Sequence, residues 1–328
     1  MVAVIVPLTG GDGPVGTSIS NAARLALADT GEKSIKITIY DSAGPGGAAG
    51  AAQRAIAEGN GLILGPLLAE DVRAAAPIAR SASVPVIAFS NDEAVAGNGV
   101  YIMGFTPNQS IGRVVSYARS KGSARFAALV PTGLYGQRAA QAMIETVRKS
   151  GGTVTGIQTY DRSKASVTAA ARRLNARGAF DAVLIGDSSR IAAMAAPLIK
   201  TGPRRLGTEL WATDRTIGTN AALRGAWYAA APDAQFDRLV ARYRARYGKT
   251  PYRLASLGYD AVLLAVRNAR SWPIGRPFPA RNLIDKDGFG GVDGSFRFTR
   301  DGVAERLLEV RQVGAGGATT VSPASTKF

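Results

Sequence analysis

Cysteine and histidine are both absent from this chain of 328 residues, and aromatic residues make up only 7% of it. Their absence excludes disulfides, thiol nucleophiles, zinc sites of the usual nitrogen and sulfur ligands, and catalytic triads with an imidazole base. Apolar runs are short, since stretches such as 1–8 and 191–199 fall well below the roughly 20 residues that a membrane-spanning helix needs. We therefore expect one large or two medium folded domains without a transmembrane segment.

Positive charge is abundant and unevenly distributed. The chain has 40 Lys and Arg residues against 24 Asp and Glu residues, a formal net charge of +16. Residues 1–118 carry a net charge of −2, residues 119–249 carry +14 and residues 250–328 carry +4. The middle third is therefore suited to an anionic partner or surface, although an arginine-rich solvated surface from a biased genome explains the excess equally well.

Short apolar runs alternate with alanine-rich segments of helical period. In the first part of the chain the predicted strands lie at 2–6, 35–40, 61–64 and 84–89, with helices between them at 18–29, 46–58 and 70–82. From about residue 120 the pattern restarts, with strands at 126–130, 153–157 and 182–185 and helices at 136–150, 163–177 and 189–201. The pattern predicts an α/β fold of two lobes, each with a doubly wound parallel sheet covered by helices on both faces.

A glycine-rich motif follows the first predicted strand. Residues 11–16 satisfy G-x-G-x-x-G, and Asp41 follows the next strand, as in a dinucleotide-binding fingerprint. Pro14 offers no N–H to a pyrophosphate, however, and Asp12 would place negative charge against it. We therefore predict a plain loop from strand to helix and no cofactor.

Other patterns that could carry chemistry are equally weak. No lysine has a serine three residues before it, which excludes a Ser-x-x-Lys nucleophile. The acidic pairs at 70–71 and 92–93 suit the first turns of helices. The mixed basic and aromatic stretch 243–247 reads as a helix surface, since no nucleic-acid-binding motif accompanies it. The sequence therefore predicts a protein without catalytic residues, a metal site or a nucleic-acid partner.

The order of several segments resembles the leucine/isoleucine/valine-binding branch of type I periplasmic binding proteins. The segments are Val6–Gly10, Ile63–Leu67, Val84–Ile87, Tyr135-Gly136 before a long helix, and Gly294–Phe298 followed by Asp301-Gly302. The resemblance implies two Rossmann-like lobes joined by three crossovers, with a small solute held in the cleft between them. It places the N-terminal lobe at 1–118 plus 250–288 and the C-terminal lobe at 119–249 plus 289–328.

The resemblance also implies a set of ligand-binding residues. Asp214 matches the acidic side chain that meets the ammonium group in amino-acid receptors of this family, and Tyr135 matches a tyrosine that lines the pocket. The full candidate set at the predicted strand ends is Glu70, Asp71, Ser90, Asn91, Tyr135, Asp187, Ser188 and Asp214. Several of these residues suit helix and turn caps equally well, so both interpretations remain open.

One departure from the family pattern bears on the ligand. Family receptors bind the ligand carboxylate with hydroxyls and N–H groups after the Gly-Pro-Leu segment, whereas this chain has Ala69, Glu70 and Asp71 there. A carboxylate would meet like charge at this point. We therefore expect a small polar solute that is amino-acid-like but cationic or neutral, or no solute at all.

Three stretches also resemble periplasmic activators of penicillin-binding proteins, which share this fold: Ser256–Ala261, Gly288–Gly294 and Val321–Ala324. The partner is then either an ABC permease or a peptidoglycan synthase. Both alternatives place the protein in the periplasm. Because no signal-peptide pattern begins the sequence, we expect any signal or lipoprotein segment to be absent from it.

Overall fold

The computed structural model describes residues 1–328, which form nine α-helices and fifteen β-strands. The strands are β1 (Val2–Val6), β2 (Ile37–Asp41), β3 (Leu62–Leu64), β4 (Val86–Ala88), β5 (Val100–Ile102), β6 (Arg125–Pro131), β7 (Thr153–Tyr160), β8 (Ala182–Ile185), β9 (Arg204–Gly207), β10 (Trp227–Ala230), β11 (Phe289–Gly291), β12 (Gly294–Phe298), β13 (Ala304–Arg306), β14 (Glu309–Gly314) and β15 (Gly317–Ser322). The helices are α1 (Gly13–Thr30), α2 (Gly47–Ala57), α3 (Ala69–Ser81), α4 (Pro107–Ser120), α5 (Leu134–Lys149), α6 (Lys164–Asn175), α7 (Ser189–Ala195), α8 (Ala234–Tyr247) and α9 (Ala255–Ala269).

These elements form two units. Unit 1 comprises residues 1–105, 232–307 and 326–328, and unit 2 comprises residues 106–231 and 308–325. Each unit contains a sheet with parallel strands and helices packed on it, so the α/β prediction is confirmed. No helix combines the length and the apolar character needed to span a membrane.

Unit 1 is built on a five-stranded parallel sheet of order β2-β1-β3-β4-β5. Alternation of side chains along β1 explains why both faces are covered. Val2, Val4 and Val6 belong to the buried cluster that includes residues of α1, α8 and α9, whereas Ala3 and Ile5 belong to the cluster with α2 and α3. A short antiparallel sheet of order β11-β12-β13 completes the unit.

Two glycines allow close packing of α1. A Cβ atom at Gly16 would lie 1.7 Å from the Pro7 carbonyl oxygen, so the glycine-rich loop is required for the helix to begin directly above β1. A Cβ atom at Gly258 would lie 2.4 Å from the Ile19 carbonyl oxygen, so α9 packs backbone to backbone against α1. The last glycine of the G-x-G-x-x-G motif thus has a packing role.

Unit 2 is built on a seven-stranded sheet of order β15-β14-β10-β9-β8-β6-β7. The five strands from β10 to β7 are mutually parallel, and β14 and β15 add antiparallel strands at one side. Buried residues of α6 and α7, such as Val167 and Ile191, pack in one cluster with Leu129 and Ile185 of the sheet. This architecture places the carboxyl ends of five strands along one edge.

The chain passes between the units at 105/106, 231/232, 307/308 and 325/326, whereas we placed the boundaries near 118, 249 and 288. The reason is the packing of three segments. Helix α4 buries Ile111 and Val114 and contacts α5 and β10, so it belongs to unit 2. Phe236 of α8 and Phe296 of β12 lie in the main buried cluster of unit 1, so both segments belong there.

Candidate functional site

The carboxyl edge of the sheet in unit 2 brings together polar residues from four loops. Tyr135 begins α5 after β6, Asp187 follows β8, and Glu209 follows β9. Tyr160 is the last residue of β7. Because loops at the carboxyl ends of parallel strands converge, this edge is where a ligand site is expected in an open α/β sheet.

Glu209 is the centre of the first cluster. Its Oε2 accepts a short hydrogen bond from the Ser110 hydroxyl of α4, and its Oε1 lies 3.4 Å from the Tyr135 hydroxyl. The Tyr135 hydroxyl also lies 3.2 Å from Thr208 Oγ1. The cluster therefore holds one carboxylate among three hydroxyl groups, with no basic side chain bonded to it.

Burial determines the ionisation of this cluster. Desolvation raises the pKa of Glu209 to about 7, although hydrogen bonds from Ser110 and Tyr135 oppose the shift. Desolvation, and then the neighbouring charge of Glu209, raises the pKa of Tyr135 well above its ordinary value. A cationic group placed beside Glu209 would supply the opposite charge that this carboxylate lacks.

Asp187 is the centre of a second cluster, and its carboxylate is already paired. It is 3% exposed; its Oδ2 accepts from Arg162 Nε at 2.8 Å and from the Tyr160 hydroxyl at 3.2 Å. Its Oδ1 accepts from the Ser188 N–H at 2.7 Å, and its carbonyl oxygen accepts from Trp211 Nε1 at 2.9 Å. These contacts tie the loop of Asp187 to Trp211, which lies two residues after Glu209.

Asp214 and Ser188 lie farther along the same loops. The Asp214 carboxylate accepts from the Thr216 N–H at 2.8 Å and from the Thr216 hydroxyl at 2.7 Å, which is a turn cap. It stands at the end of the 3-10 helix Glu209–Thr213. Ser188 is half-buried at the N-cap of α7, and its side chain forms no capping hydrogen bond.

The carboxyl edge of the sheet in unit 1 is acidic. Asp41 accepts from the Leu8 N–H at 2.8 Å, the Thr9 hydroxyl at 2.8 Å and the Ala43 N–H at 2.9 Å. These hydrogen bonds outweigh burial and lower the pKa of Asp41. Asp41 therefore clamps the loop before α1, a different role from that of the acidic residue in a dinucleotide fingerprint.

Glu70 and Asp71 occupy the first turn of α3, where negative charge interacts favourably with the helix dipole. Glu70 is exposed and Asp71 is half-buried. Desolvation, followed by repulsion from Glu70 and Asp12, raises the pKa of Asp71. The edge therefore presents two carboxylates, and burial and neighbouring negative charge disfavour the ionised form of Asp71.

Ser90 and Asn91 follow β4. The Ser90 side chain is buried, and its Oγ accepts from the Asp92 N–H at 3.1 Å. Asp92 in turn pairs with Arg73 Nη2 at 2.6 Å. Ser90 thus helps to hold its own loop, whereas Asn91 is exposed.

Sequence reasoning missed Glu209 and its partner Ser110. It also missed Tyr160 and Arg162, which both donate hydrogen bonds to Asp187. The signal for Glu209 was its position directly after a strand, but Arg204 and Arg205 make β9 look polar. Ser110 was missed because α4 was not predicted. Recognition of either element would have directed attention to this edge.

The comparison with known families gives a decisive match. The sequence profile of the family described as periplasmic binding protein matches residues 1–318. The chain belongs to the periplasmic binding protein family. The resemblance that we inferred from the motifs is thereby confirmed, as is the prediction of a binding protein rather than an enzyme.

Solved structures of other periplasmic binding proteins share the two-lobe fold. The leucine-binding protein LivK of Thermotoga maritima MSB8 is 22% identical with a TM-score of 0.73, covering 99% of this chain and 98% of that one. A protein assigned to branched-chain amino acid ABC transport in Rhodospirillum rubrum is 20% identical with a TM-score of 0.84, covering 98% and 99%. A solute-binding protein of Rhodopseudomonas palustris BisB5, solved with 3,4-dihydroxybenzoic acid, is 21% identical with a TM-score of 0.74, covering 98% and 96%. Identities this low show a common fold.

A further relative is an uncharacterised protein of Rickettsia prowazekii (strain Madrid E). It is 24% identical over 174 residues, which are 53% of this chain and 47% of that relative. The chain therefore matches about half the length of that protein.

Proposed function

We propose that this periplasmic binding protein is the extracytoplasmic solute-binding component of an ABC transporter and that its solute carries at least one ammonium group. Its location is then the periplasm and its protein partner is the permease. The general function is supported by the family match and by neighbours that include proteins of amino-acid and aromatic-acid transport. None of the relatives described above is an activator of penicillin-binding proteins, so we do not propose that alternative.

The charge of the loops in unit 1 is the observation that carries the proposed solute class. The loops that follow β1 to β4, residues 7–14, 41–46, 65–71 and 89–93, contain six Asp and Glu residues and no Lys or Arg. Arg73 of α3 pairs with one of them, Asp92, and the negative charge that remains concentrates solutes of the opposite sign. A solute whose main charge is a carboxylate would be repelled there.

Glu209 supplies the matching feature in unit 2. Its carboxylate is half-buried, has only hydroxyl partners, and has a pKa of about 7. An ammonium group beside it would favour the ionised form and satisfy both oxygens. We propose that Glu209 contacts the ammonium group, with Tyr135 and Ser110 orienting the carboxylate.

A thermal-shift panel tests this proposal on the intact chain. The panel contains a diamine, an amino-acid ester, zwitterionic leucine and 4-hydroxybenzoate. A solute that binds only the folded state raises the melting temperature, so we expect increases with the diamine or the ester and none with the benzoate. The increase should grow as the pH rises through about 7, because Glu209 must lose its proton to pair with the amine.

Two variants provide the matched comparison. Glu209→Gln keeps the size of the side chain and removes its charge, so it should abolish the amine-dependent increase and its pH dependence. Glu145→Gln makes the same change on α5, where the carboxylate accepts from Gln141 at 2.8 Å, and it should leave the increase intact. Stabilisation by 4-hydroxybenzoate but by no amine would overturn the solute class while leaving the transport role standing.

A further inference from the structure

The amino edge of the sheet in unit 2 carries most of the positive charge of that unit. Unit 2 has 19 Lys and Arg residues against 7 Asp and Glu residues. The segments that lead into its five parallel strands, residues 119–125, 148–153, 172–182, 198–205 and 223–227, contain 12 of these cations and a single acid, Asp181. The loops at the opposite edge, residues 131–138, 160–164, 186–190 and 208–216, contain five cations and four acids. The excess is therefore confined to one edge.

Helix dipoles alone do not explain this excess. The C-termini of α4, α5 and α6 point to this edge, and cations stabilise helix C-termini. Unit 1 has the same arrangement of strands and returning helices and serves as an internal comparison. Its corresponding segments, residues 28–37, 56–62, 79–86 and 96–100, contain three cations and three acids, and the segment 269–277 that lies beside them adds Arg270 and Arg276. A doubly wound sheet can thus be built with an amino edge that carries far less positive charge.

Hydrogen bonds within the edge do not neutralise it. Arg119 donates to the carbonyl groups of Ser150 and Ser123, and Arg204 donates to the carbonyl group of Gly225. A carbonyl partner holds a guanidinium group in place and leaves its full charge. Among the edge cations, Arg125 pairs with a carboxylate, that of Asp181, at 2.7 Å. The edge therefore keeps most of its positive charge.

Two of the aromatic rings at this edge are covered, and a third, Tyr117, is half-buried with Lys121 5.4 Å from its centroid. Lys200 lies 4.3 Å from the centroid of Phe180, and Arg204 lies 4.2 Å from the centroid of Trp227. Phe180 and Trp227 are 5% and 8% exposed. Bases of a nucleic acid would find at most one partly exposed ring on which to stack, whereas phosphate groups would meet several exposed cations. The charge pattern therefore favours a surface of phosphates over a base-reading site.

We propose that the amino edge of unit 2 binds the surface of an anionic phospholipid bilayer. Five parallel strands about 4.8 Å apart spread the cations over roughly 20 Å, which matches an extended flat partner. Lys and Arg near an anionic leaflet each add to the attraction, and the attraction falls off within a Debye length. Bound in this way, the protein keeps the carboxyl edge of unit 2, with Glu209, directed away from the lipid.

Vesicle co-sedimentation of the full chain tests the proposal. The vesicles consist of phosphatidylcholine with or without phosphatidylglycerol, at low and high salt. We expect binding only to vesicles with phosphatidylglycerol and at least about a tenfold weaker partition at high salt. The edge variant reverses four exposed cations, Arg148→Glu, Lys149→Glu, Arg172→Glu and Arg177→Glu, and should lower the partition at low salt by at least about tenfold.

The control variant has the same net charge but reverses exposed cations of unit 1: Lys33→Glu, Arg80→Glu, Arg244→Glu and Arg276→Glu. It should retain most of the binding, and thermal melts verify that both variants are folded. Equal loss in the two variants would show that only total charge matters and would overturn the proposal, as would the absence of binding to phosphatidylglycerol at low salt. Displacement from the vesicles by a single-stranded oligonucleotide that binds more tightly would identify a nucleic-acid surface instead.

Discussion

Buried charge at single residues is concentrated in unit 1, where α9 meets the short antiparallel sheet. Asp260 is 2% exposed, and its Oδ1 accepts from the Val292 N–H at 2.7 Å, while its Oδ2 has no hydrogen-bond partner. Asp293 is fully buried and pairs with Arg253 Nη2 at 2.5 Å. Arg306 Nη2 donates to the Met103 carbonyl oxygen at 2.6 Å. Two carboxylates and two guanidinium groups thus share one interior region.

This arrangement makes stability depend on pH through Asp260. Desolvation, and then the charge of Asp293, raises the pKa of Asp260 above its ordinary value. A raised pKa means that the folded state keeps a proton that the unfolded state releases from about pH 4 upward. The contribution of Asp260 to stability is therefore present at low pH and is lost as the pH rises toward the pKa of the folded state.

We expect Asp260→Asn to remove this part of the pH dependence, because the amide oxygen still accepts from Val292 and carries no charge. The free energy of unfolding of the wild type should fall relative to that of the variant as the pH rises from about 4, by at most about 1.4 kcal/mol per pH unit. Urea unfolding of both proteins at several pH values measures the difference. Parallel curves for the two proteins would contradict the expected role of Asp260.

At the scale of elements, glycines in the first turns of helices allow the backbone to pass close to the end of the preceding strand. A Cβ atom at Gly136, in the first turn of α5, would lie 1.7 Å from the Pro131 carbonyl oxygen. Backbone must move to relieve this contact, so we expect Gly136→Ala to destabilise the fold by about 1–3 kcal/mol. Denaturant unfolding gives the value.

Gly112 is the matched control, since it also lies in a helix, α4. A Cβ atom there would meet only Thr146 Oγ1, at 3.7 Å, which is ordinary contact. Gly112→Ala should therefore be neutral or stabilise the protein by up to about 1 kcal/mol, through helix propensity. A similar loss in both variants would show that the space beside β6 does not decide the result.

Elements with clear periodicity could be read from the sequence, and polar or short ones could not. β1 and β8 begin and end where the apolar runs predict. β9 was missed because two of its four residues are arginine, and α4 was missed although Ile111, Val114 and Val115 have helical spacing. The missed helix also explains why the first boundary was placed near residue 118 instead of 105.

The candidate site shows the same limit. Tyr135 and Asp187 were placed correctly at strand ends, because the strands before them are apolar. The acidic residue beside Tyr135 is Glu209, five positions before the predicted Asp214, because the chain turns into a 3-10 helix directly after β9. The sequence shows which residue types lie near an edge, but the hydrogen bond that selects one carboxylate depends on α4, about 100 residues earlier in the chain.

At the scale of the whole molecule, charge of one sign should limit stability at low ionic strength. Unit 2 has a formal net charge of +12 and unit 1 has +4. Self-repulsion within unit 2 weakens as the Debye length shrinks from about 30 Å at 0.01 M salt to about 8 Å at 0.15 M.

We therefore expect the melting temperature to rise between these salt concentrations, and to rise less in the variant with four reversed cations at the amino edge. Scanning calorimetry in sodium chloride checks both expectations. A melting temperature that stays constant or falls with salt would show that repulsion at this edge is already balanced within the folded chain.

The pairing of α1 with α9 determines the order in which the chain can mature during synthesis. Gly258 lets α9 lie against α1 over the face of the sheet that carries Val2, Val4 and Val6. Helix α9 can therefore cover this face only after residues 255–269 have been translated. The first hundred residues alone lack one of the helices that cover this face, and unit 1 can complete its buried core only late in synthesis.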